Sequence, residues 1–351
     1  MLLMLLLVFM PLATKVLFTS SKTRCSVASS VFLIAIKQPK NPIMMRLIFM
    51  GTPDFAVPSL RILHEQGYNI VAVITATDKP AGRGGHLQMS AVKKYALEHN
   101  LPVLQPSNLK DPAFLEQLQA LQPDLQVVVA FRMLPMSVIT AAKYGTINLH
   151  ASLLPQYRGA APINWAVANG ETETGVTTFF IEQKLDTGNI IFQEKTPILP
   201  HENAGDIHDR LMTMGADLVL KTVDAIATQT AVAHPQPMVE NSKPAPKIFT
   251  PTCELHFEQS CVVLHNLVRG LSPYPAAFTT WNGQSLKVFA TEALPTPHSY
   301  PIGTVVSDGK YVDVATADGF LRLLEVQLAG RKRMDIAAFL RGQKLVVALP
   351  C

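Results

Sequence analysis

Short apolar runs alternate with amphipathic stretches over residues 46–232. Each run holds five to eight residues, the length of a strand buried on both faces of a sheet. The runs predict strands at residues 46–50, 70–75, 125–130, 145–150, 174–181 and 190–196. The stretches between them predict helices at residues 90–98 and 204–227, one that opens with Asp111 and Pro112, and one at residues 54–66 with Asp54 as its cap. This order implies right-handed crossovers, so we expect an α/β fold whose Rossmann-like, mostly parallel sheet carries helices on both faces.

The pattern changes at residues 233–246, which hold four prolines and few apolar residues and therefore predict a linker. Beyond it, one helix at residues 258–269 precedes short apolar runs at residues 277–281, 286–290, 302–307, 311–315 and 320–326. Asn282-Gly283, Asp308-Gly309 and Asp318-Gly319 separate these runs and predict hairpin turns. We therefore expect a first domain at residues 44–232 and a second at residues 247–351, the latter a small OB-like antiparallel β-barrel.

Residues 1–43 do not fit either domain. The apolar run at residues 1–12 is too short to span a bilayer and lacks the basic segment that precedes the core of a signal peptide. Met44 and Met45 stand directly before the first predicted strand, so we expect residues 1–43 to be an extension outside the fold. A cleaved or membrane-tethering leader is the alternative. We expect a cytoplasmic protein with no membrane partner.

Composition narrows the choice of function. The chain has 351 residues, of which 48% are hydrophobic and 16% charged, which excludes intrinsic disorder. The net charge is +4, but residues 1–45 hold five cations and no acid, so residues 46–351 carry −1. Bulk charge will therefore not bind nucleic acid, and any RNA contact must come from local patches. The four cysteines lack metal-ligand spacing and predict reduced thiols.

The turn after the first predicted strand, at residues 51–54, does not support a nucleotide site. It has neither the glycine spacing of a dinucleotide site nor the lysine of a P-loop.

Asn148 and His150 are the first candidates for chemistry. They lie two residues apart at the C-terminal end of a predicted strand, so their side chains share one face at the edge where open α/β sheets bind ligands. An amide can donate to an oxygen that becomes negative during acyl transfer, and an imidazole can accept or return a proton near neutral pH. A structural histidine whose hydrogen bonds are all made within the fold is the alternative.

Two flanking segments favour the catalytic interpretation. Residues 152–162 form an irregular, largely apolar loop directly after the pair. The turn Leu185-Asp186-Thr187-Gly188 joins two predicted strands and can return a carboxylate to the same crevice. Asp186 could orient His150, stabilise its protonated form or hold a water. Taken alone, an Asp-Thr-Gly sequence is also a common structural turn.

Taken together, these segments resemble the formyltransferases that use 10-formyltetrahydrofolate. The resemblance rests on NLHASLLPQYRGAAP (residues 148–162), LDTG (185–188), FMGTPDFAVPSL (49–60), TDKPAGRGGHLQMSAVK (77–93) and a C-terminal barrel. It covers residues 46–350, and within that family it points to the enzymes that formylate methionyl-tRNA.

The resemblance implies a transfer that uses neither a metal nor a protein nucleophile. The α-amine of methionine on initiator tRNA would attack the formyl carbon on N10 of the folate. Asn148 would donate to the formyl oxygen, His150 would stabilise the developing charge and assist proton transfer, and Asp186 would support the histidine and help to relay the amine proton. The folate would bind along a loop and against the end of a neighbouring strand, at Ser152, Leu153, Leu154, Pro155, Phe131, Arg132 and Leu134.

The same resemblance implies that two groups of cations hold the tRNA. Lys79 and Arg83 belong to a glycine-rich loop that would enter the acceptor end, and Arg331, Lys332 and Arg333 would lie along phosphates in the barrel domain. A solvated surface loop and a solvated charge run are the alternatives. We expect a monomer whose partners are initiator methionyl-tRNA and folate, acting in translation initiation.

Several other functions remain open. A formyltransferase acting on glycinamide ribonucleotide or an amino sugar would lack this C-terminal domain, and a formyl-folate hydrolase would need an extra module or a pocket that admits water. A non-catalytic tRNA-binding protein would have no need of an amide, an imidazole and a carboxylate together. A metal site made of His150, Asp186 and either His201 or His208 matches no ligand spacing.

Overall fold

A computed structural model describes residues 45–81, 86–341 and 349–350. The predicted extension at residues 1–43 and the predicted tRNA contact Arg83 lie outside the described residues, as do Cys25 and Cys351. The other two cysteines, Cys253 and Cys261, are buried free thiols.

The first part of the chain alternates strands with helices. Its strands are β1 (Arg46–Gly51), β2 (Asn69–Ile74), β3 (Lys79–Ala81), β4 (His86–Gln88), β5 (Val103–Leu104), β6 (Leu125–Val129), β7 (Thr146–His150), β8 (Glu173–Phe180) and β9 (Ile190–Pro197). Its helices are α1 (Val57–Glu65), α2 (Ala91–Glu98), α3 (Pro112–Ala120), α4 (Met136–Ile139), α5 (Pro162–Ala168) and α6 (Ala204–Ala227).

Seven of these strands form one sheet in the order β5-β2-β1-β6-β7-β8-β9, within the described residues. The strands from β5 to β7 pair in parallel, and β8 and β9 add an antiparallel edge. The strands β3 and β4 form a separate ladder. The mostly parallel, Rossmann-like sheet predicted from the alternating pattern is therefore confirmed.

Helices cover both faces of this sheet, as predicted. One buried core joins the sheet to α1, α2 and α6, and the other joins it to α3 and α4. The long helix α6 has the predicted bounds because Asn203 caps it and forms a reciprocal pair of hydrogen bonds with Asp206.

Asp54 does not cap the first helix, contrary to our expectation. It lies inside a 3-10 turn at Asp54–Ala56, whose cap position is Pro53, and α1 begins only at Val57. Pro58 falls in the first turn of α1, where its missing N–H leaves no hydrogen bond unmade.

The last part of the chain is an antiparallel sheet with two helices packed on it. Its helices are α7 (Cys261–Leu271) and α8 (Ile336–Arg341), and its strands are β10 (Ala277–Trp281), β11 (Gln284–Leu294), β12 (Thr304–Ser307), β13 (Val312–Ala315), β14 (Phe320–Leu328), β15 (Met334–Asp335) and β16 (Leu349–Pro350). The order β10-β11-β14-β13-β12-β16 wraps around a separate apolar core, consistent with the predicted barrel-like domain. The predicted turn at Asn282-Gly283 has positive φ angles at both residues, 48° and 75°, as a type I′ hairpin requires.

The two parts meet along α7. Asn164 donates to the carbonyl of Gly270 at 2.8 Å, and Arg269 donates to the carbonyls of Glu202 and Leu199 at 2.8 and 2.9 Å. The segment just before α6 is therefore fixed to the last part of the chain. None of the helices in the described ranges is both long enough and apolar enough to cross a bilayer.

Candidate active site

The carboxyl end of β7 presents Asn148 and His150 on one face of the sheet. Ile147 and Leu149 point the other way, into the core shared with α6. The residue in register with Asn148 on the neighbouring strand, Val128, belongs to the core on the opposite face. The predicted shared face of Asn148 and His150 thus follows from the way β7 packs between two cores.

Asn148 is only half-buried. Among the described residues, none hydrogen-bonds to its side-chain amide. No described residue therefore competes with a ligand for the two amide protons at this edge of the sheet.

His150 is buried, with 6% of its surface exposed, and one of its nitrogens is committed to the fold. Its Nε2 lies 2.8 Å from the carbonyl oxygen of Tyr157. Because a carbonyl oxygen can only accept, Nε2 must carry a proton. The other nitrogen, Nδ1, faces Asp186 and is the one free to take up or release a proton.

Asp186 is brought to His150 as the sequence predicts. Its Oδ2 lies 4.0 Å from Nδ1 of His150, and the main-chain N–H of Gly159 donates to the same oxygen at 3.0 Å. Since the carboxylate is largely buried, it can stabilise an imidazolium that forms beside it. The turn itself explains the Asp-Thr-Gly sequence: Asp186 has a φ of 51°, and a Cβ at Gly188 would lie 1.7 Å from the carbonyl oxygen of Phe180.

Tyr157 holds the carbonyl that receives the His150 proton. Its backbone is left-handed, with a φ of 59°, and its hydroxyl donates to Glu171 at 2.6 Å. Burial, together with this bond to Glu171, raises the pKa of Tyr157, so the phenol stays neutral and remains a donor. Lys243 completes the cluster with an ion pair to Glu171 at 2.6 Å.

The predicted folate loop after β7 is fixed by hydrogen bonds from the antiparallel strands. Thr177 donates to the carbonyl of Ser152 at 2.6 Å, and Gln193 donates to the carbonyl of Leu154 at 2.8 Å. Of the four predicted loop residues, Ser152, Leu154 and Pro155 are buried and Leu153 is partly exposed. The Ser152 hydroxyl is already used, since it donates to the carbonyl of Gln156 at 2.7 Å. The loop therefore offers mainly an apolar wall, since the carbonyls of Ser152, Leu153 and Leu154 already accept hydrogen bonds within the fold.

The second predicted folate segment, residues 131–134, follows β6 after a sharp turn at Ala130, whose φ is 47°. Within the described part of the chain, none of the main-chain groups of residues 131–134 pairs with another protein group. The side chain of Arg132 turns away and donates to the carbonyls of Ser107 and Pro106. Leu134 is buried and Phe131 half-buried, so free main-chain donors and acceptors lie beside an apolar surface.

The predicted tRNA contacts differ in how free their charges are. Lys79 is exposed on β3, and Arg331 and Lys332 are exposed and make no ion pair with any described residue. Arg333 instead binds Glu325 through two nitrogens, at 2.6 and 2.5 Å, and stacks on Phe289 with 4.3 Å between guanidinium and ring centroid.

The alternative metal site is not assembled. His208 pairs with its neighbour Asp209 and packs edge-on against Phe55, and His201 is exposed. In the part of the chain that the structure describes, no three His, Cys, Asp or Glu side chains converge as metal ligands would.

Sequence reasoning missed three groups that hold the site: the Tyr157 carbonyl, the Gly159 N–H and the side chain of Gln236, which donates to the carbonyl of Asp186 at 2.9 Å. Two of them are main-chain atoms, which leave no trace in residue type. The third lies between Pro235 and Pro237 in a segment whose composition indicates only a linker.

Comparison with known proteins identifies two family models in the chain. One, described as "Formyl transferase", matches residues 45–223, and the other, "Formyl transferase, C-terminal domain", matches residues 247–344. Among curated proteins, a methionyl-tRNA formyltransferase of Parabacteroides distasonis is 54% identical over 313 residues, 86% of this chain and 97% of that protein. One from Bacteroides thetaiotaomicron is 52% identical over 310 residues, covering 86% of this chain and 96% of its own.

Solved structures share the fold at lower sequence identity. An N-formyltransferase from Helicobacter canadensis, in complex with folinic acid and dTDP-3-aminofucose, superposes with a TM-score of 0.62 and 22% identity over 83% of this chain and all of that one. HypX from Aquifex aeolicus, in complex with tetrahydrofolic acid, superposes with a TM-score of 0.57 and 15% identity over 87% of this chain and half of its own.

Proposed function

This chain belongs to the formyl transferase family, among the methionyl-tRNA formyltransferases, and from that premise we propose that Asn148, His150 and Asp186 carry out the transfer of a formyl group to methionyl-tRNA. The formyl donor is a folate. We propose that it is 10-formyltetrahydrofolate and that the acceptor is the α-amine of methionine on initiator tRNA.

Each residue of the trio has a defined task at a defined atom. The free amide of Asn148 donates to the formyl oxygen on which negative charge develops during attack by the amine. As the bond from the amine to the formyl carbon forms, Nδ1 of His150 takes the proton that the amine must lose, because Nε2 is already protonated and bound to the Tyr157 carbonyl. The same nitrogen then returns that proton to N10 of the folate as the bond between N10 and the formyl carbon breaks. Asp186 stabilises the imidazolium that results, across the 4.0 Å that separate it from Nδ1.

The residues around this trio fit a folate. The main-chain groups of residues 131–134, which no described residue pairs, match the alternating donors and acceptors on the edge of a pterin. Phe131, Leu134 and Leu153 supply apolar contacts for its ring. When bound, the folate supplies the formyl group as an activated amide. The protein's own part is to hold it so that the formyl oxygen meets Asn148.

We also propose a division of labour between the two parts of the chain. Residues 44–232 would carry the chemistry, residues 233–246 would connect, and residues 247–351 would bind tRNA along phosphates near Arg331 and Lys332. Lys79 and Arg83 would contact the acceptor end. Lys79, Arg331 and Lys332 are exposed, and no described acid pairs with them, which supports this assignment.

The observation that carries the proposal is the pair of groups that face the two ring nitrogens of His150. A carbonyl fixes one ring nitrogen as a donor, and a carboxylate faces the other. This arrangement leaves one proton-accepting nitrogen beside a free amide at the ligand edge of the sheet, which is what transfer of an acyl group to an amine needs.

The test is to incubate the protein with 10-formyltetrahydrofolate and, in separate reactions, methionyl initiator tRNA, glycinamide ribonucleotide and a nucleotide-linked amino sugar. We expect formylation of the tRNA alone. Formylation of either small amine in preference would contradict the assigned acceptor, and release of formate without an acceptor would indicate a hydrolase. Binding of tRNA without any formyl transfer would indicate a non-catalytic relative.

A further inference from the structure

Residues 233–246, which we call the connecting segment, are bound to the active site along much of their length. His234 exchanges two main-chain hydrogen bonds with Ile190, each 2.8 Å long. Farther along, the N–H of Tyr157 donates to the carbonyl of Lys243 at 2.7 Å, and the N–H of Ala245 donates to the carbonyl of Arg158 at 2.8 Å. The segment thus contacts both sides of the catalytic crevice before it reaches the last part of the chain.

One side chain of this segment, Gln236, joins the two sides to each other. Its Nε2 donates to the carbonyls of Asp186 and Gly188, each at 2.9 Å. Its Oε1 accepts from Arg158, through Nε at 3.2 Å and through Nη2. Both amide protons and the amide oxygen are therefore used.

These contacts close a ring around His150. On one side, Arg158 follows Tyr157, whose carbonyl fixes Nε2 of His150. On the other, Gln236 holds the turn of Asp186, whose carboxylate faces Nδ1 and accepts from the N–H of Gly159. Gln236 therefore ties the loop that fixes Nε2 of His150 to the turn that carries Asp186, the carboxylate facing Nδ1.

The turn needs such support because its backbone is strained. Asp186 has a φ of 51°, a conformation that costs free energy in a residue other than glycine. Gln236 pairs the carbonyl of this residue and that of Gly188, which within the described chain have no other hydrogen-bond donor. Loss of both bonds would leave the strained turn free to relax and to carry the carboxylate away from His150.

We propose that Gln236 is a positioning residue for formyl transfer, acting through Asp186. The proposal rests on the proposed role of the His150–Asp186 pair. Because Gln236 binds the back of the turn, its loss changes the rate of the chemical step much more than the affinity for either substrate.

Gln236→Ala and Gln236→Glu test this in the full-length protein. The glutamate keeps the size of the side chain and the oxygen that accepts from Arg158. It replaces the NH2 group, which donates to the carbonyls of Asp186 and Gly188, with an oxygen that cannot donate to them. We expect kcat to fall by about 10–10² in both variants, as for a displacement of about 1 Å in a catalytic group, with KM values for folate and tRNA unchanged within about threefold. Met238→Ala, at a fully exposed position in the same segment, is the matched control and should match the wild type.

A double-mutant cycle separates positioning from general loss of structure. If Gln236 acts through the carboxylate of Asp186, Gln236→Ala should cause no further loss in an Asp186→Asn background. Independent, multiplying losses would overturn the proposal, as would wild-type kcat in both Gln236 variants or a loss of kcat matched by a fall in unfolding temperature. If Asp186→Asn itself retains wild-type activity, the proposed role of Asp186 fails instead, and an effect of Gln236→Ala would then need another explanation.

Discussion

His150 and Arg331 stand at opposite extremes of this molecule. His150 is 6% exposed, one ring nitrogen is bonded to a fixed carbonyl, and the other faces a carboxylate that is itself held by a main-chain N–H. Arg331 and its neighbour Lys332 are exposed, with no described acid paired to them. The first region is built for fixed geometry, and the second exposes long charged side chains to water.

The difference follows from what each region has to do. A proton transfer and an oxyanion contact fail if the groups move by about 1 Å, so their supports must be numerous and buried. Contacts with phosphate gain their free energy largely from release of counterions, which needs charge and reach but little fixed geometry. Substitutions in the first region should therefore change rates, and those in the second should change affinity and its dependence on salt.

The largest expected effect belongs to His150→Ala. Removal of the proton acceptor should lower the single-turnover rate of formyl transfer by about 10²–10⁴ and leave tRNA affinity nearly unchanged. His201→Ala, at an exposed histidine, is the control and should behave as wild type. Turnover of His150→Ala at the wild-type rate would refute the role given to the imidazole.

A smaller effect, confined to binding, is expected for the double variant Arg331→Ala/Lys332→Ala. The plot of log affinity for tRNA against log salt should become shallower by about 1 for each cation removed, with affinity about tenfold weaker and kcat at saturating tRNA unchanged. Filter binding over a range of salt concentrations measures both quantities. An unchanged slope would remove this pair from the tRNA surface.

The contacts of Glu171 with Tyr157 and Lys243, which support the buried region, should make the stability of the protein depend on pH in the acid range. Burial acts to raise the pKa of Glu171, but hydrogen bonds from Lys243 and Tyr157 outweigh it and hold the pKa below its ordinary value of 4.5. A carboxyl group with a lowered pKa in the folded state adds stability above its unfolded pKa, and this stability is lost as pH falls through the folded pKa. Between about pH 5 and pH 3, the unfolding temperature of Glu171→Gln should therefore fall by roughly 2 °C less than that of the wild type.

The matched control for this measurement is Glu173→Gln, since the ion pair between Glu173 and Lys195 is exposed on both sides. Its unfolding temperature should follow that of the wild type across the same pH range. Parallel curves for wild type and Glu171→Gln would show that the Tyr157–Glu171–Lys243 cluster does not stabilise the fold.

Arg333→Ala sharpens the comparison within the basic cluster itself and has the smallest expected effect. Because Arg333 is already paired with Glu325 and stacked on Phe289, its removal should cost less than about 1 kcal/mol of stability and change the salt slope less than removal of Arg331. The same filter-binding series, with the single variant Arg331→Ala measured beside Arg333→Ala, decides this. A slope change equal to that of Arg331→Ala would mean that phosphate displaces Glu325.

Much of the fold can be predicted from the sequence because its signals are local. The apolar runs give six of the seven strands of the first sheet in the described chain, all but the two-residue strand β5, and the amphipathic stretch at residues 204–227 gives α6. Asn282-Gly283 gives a hairpin, since both positions need a positive φ. The predicted start of α1 is wrong because a 3-10 turn at Asp54–Ala56, capped at Pro53, precedes the helix, which begins only at Val57.

The site is only partly predictable, for a physical reason. Asn148, His150 and Asp186 are visible as residue types at a strand end and a turn. Their supports act through main-chain atoms at Tyr157 and Gly159, or through an amide in a proline-rich segment far along the chain. Such contacts depend on tertiary packing and leave no periodic signal. The linker predicted at residues 233–246 has the expected composition, yet the structure binds it to the crevice.

One titration tests the separation of chemistry from binding most directly: single-turnover rates of formyl transfer as a function of tRNA concentration, for wild type, Asn148→Ala and Arg331→Ala/Lys332→Ala. The plateau reports the chemical step and the midpoint reports tRNA binding. We predict that Asn148→Ala lowers the plateau by about 10² or more at an unchanged midpoint, and that the double variant moves only the midpoint. A wild-type plateau for Asn148→Ala, or a midpoint that moves with the plateau, would contradict the assignment of the chemistry to the buried edge of the sheet.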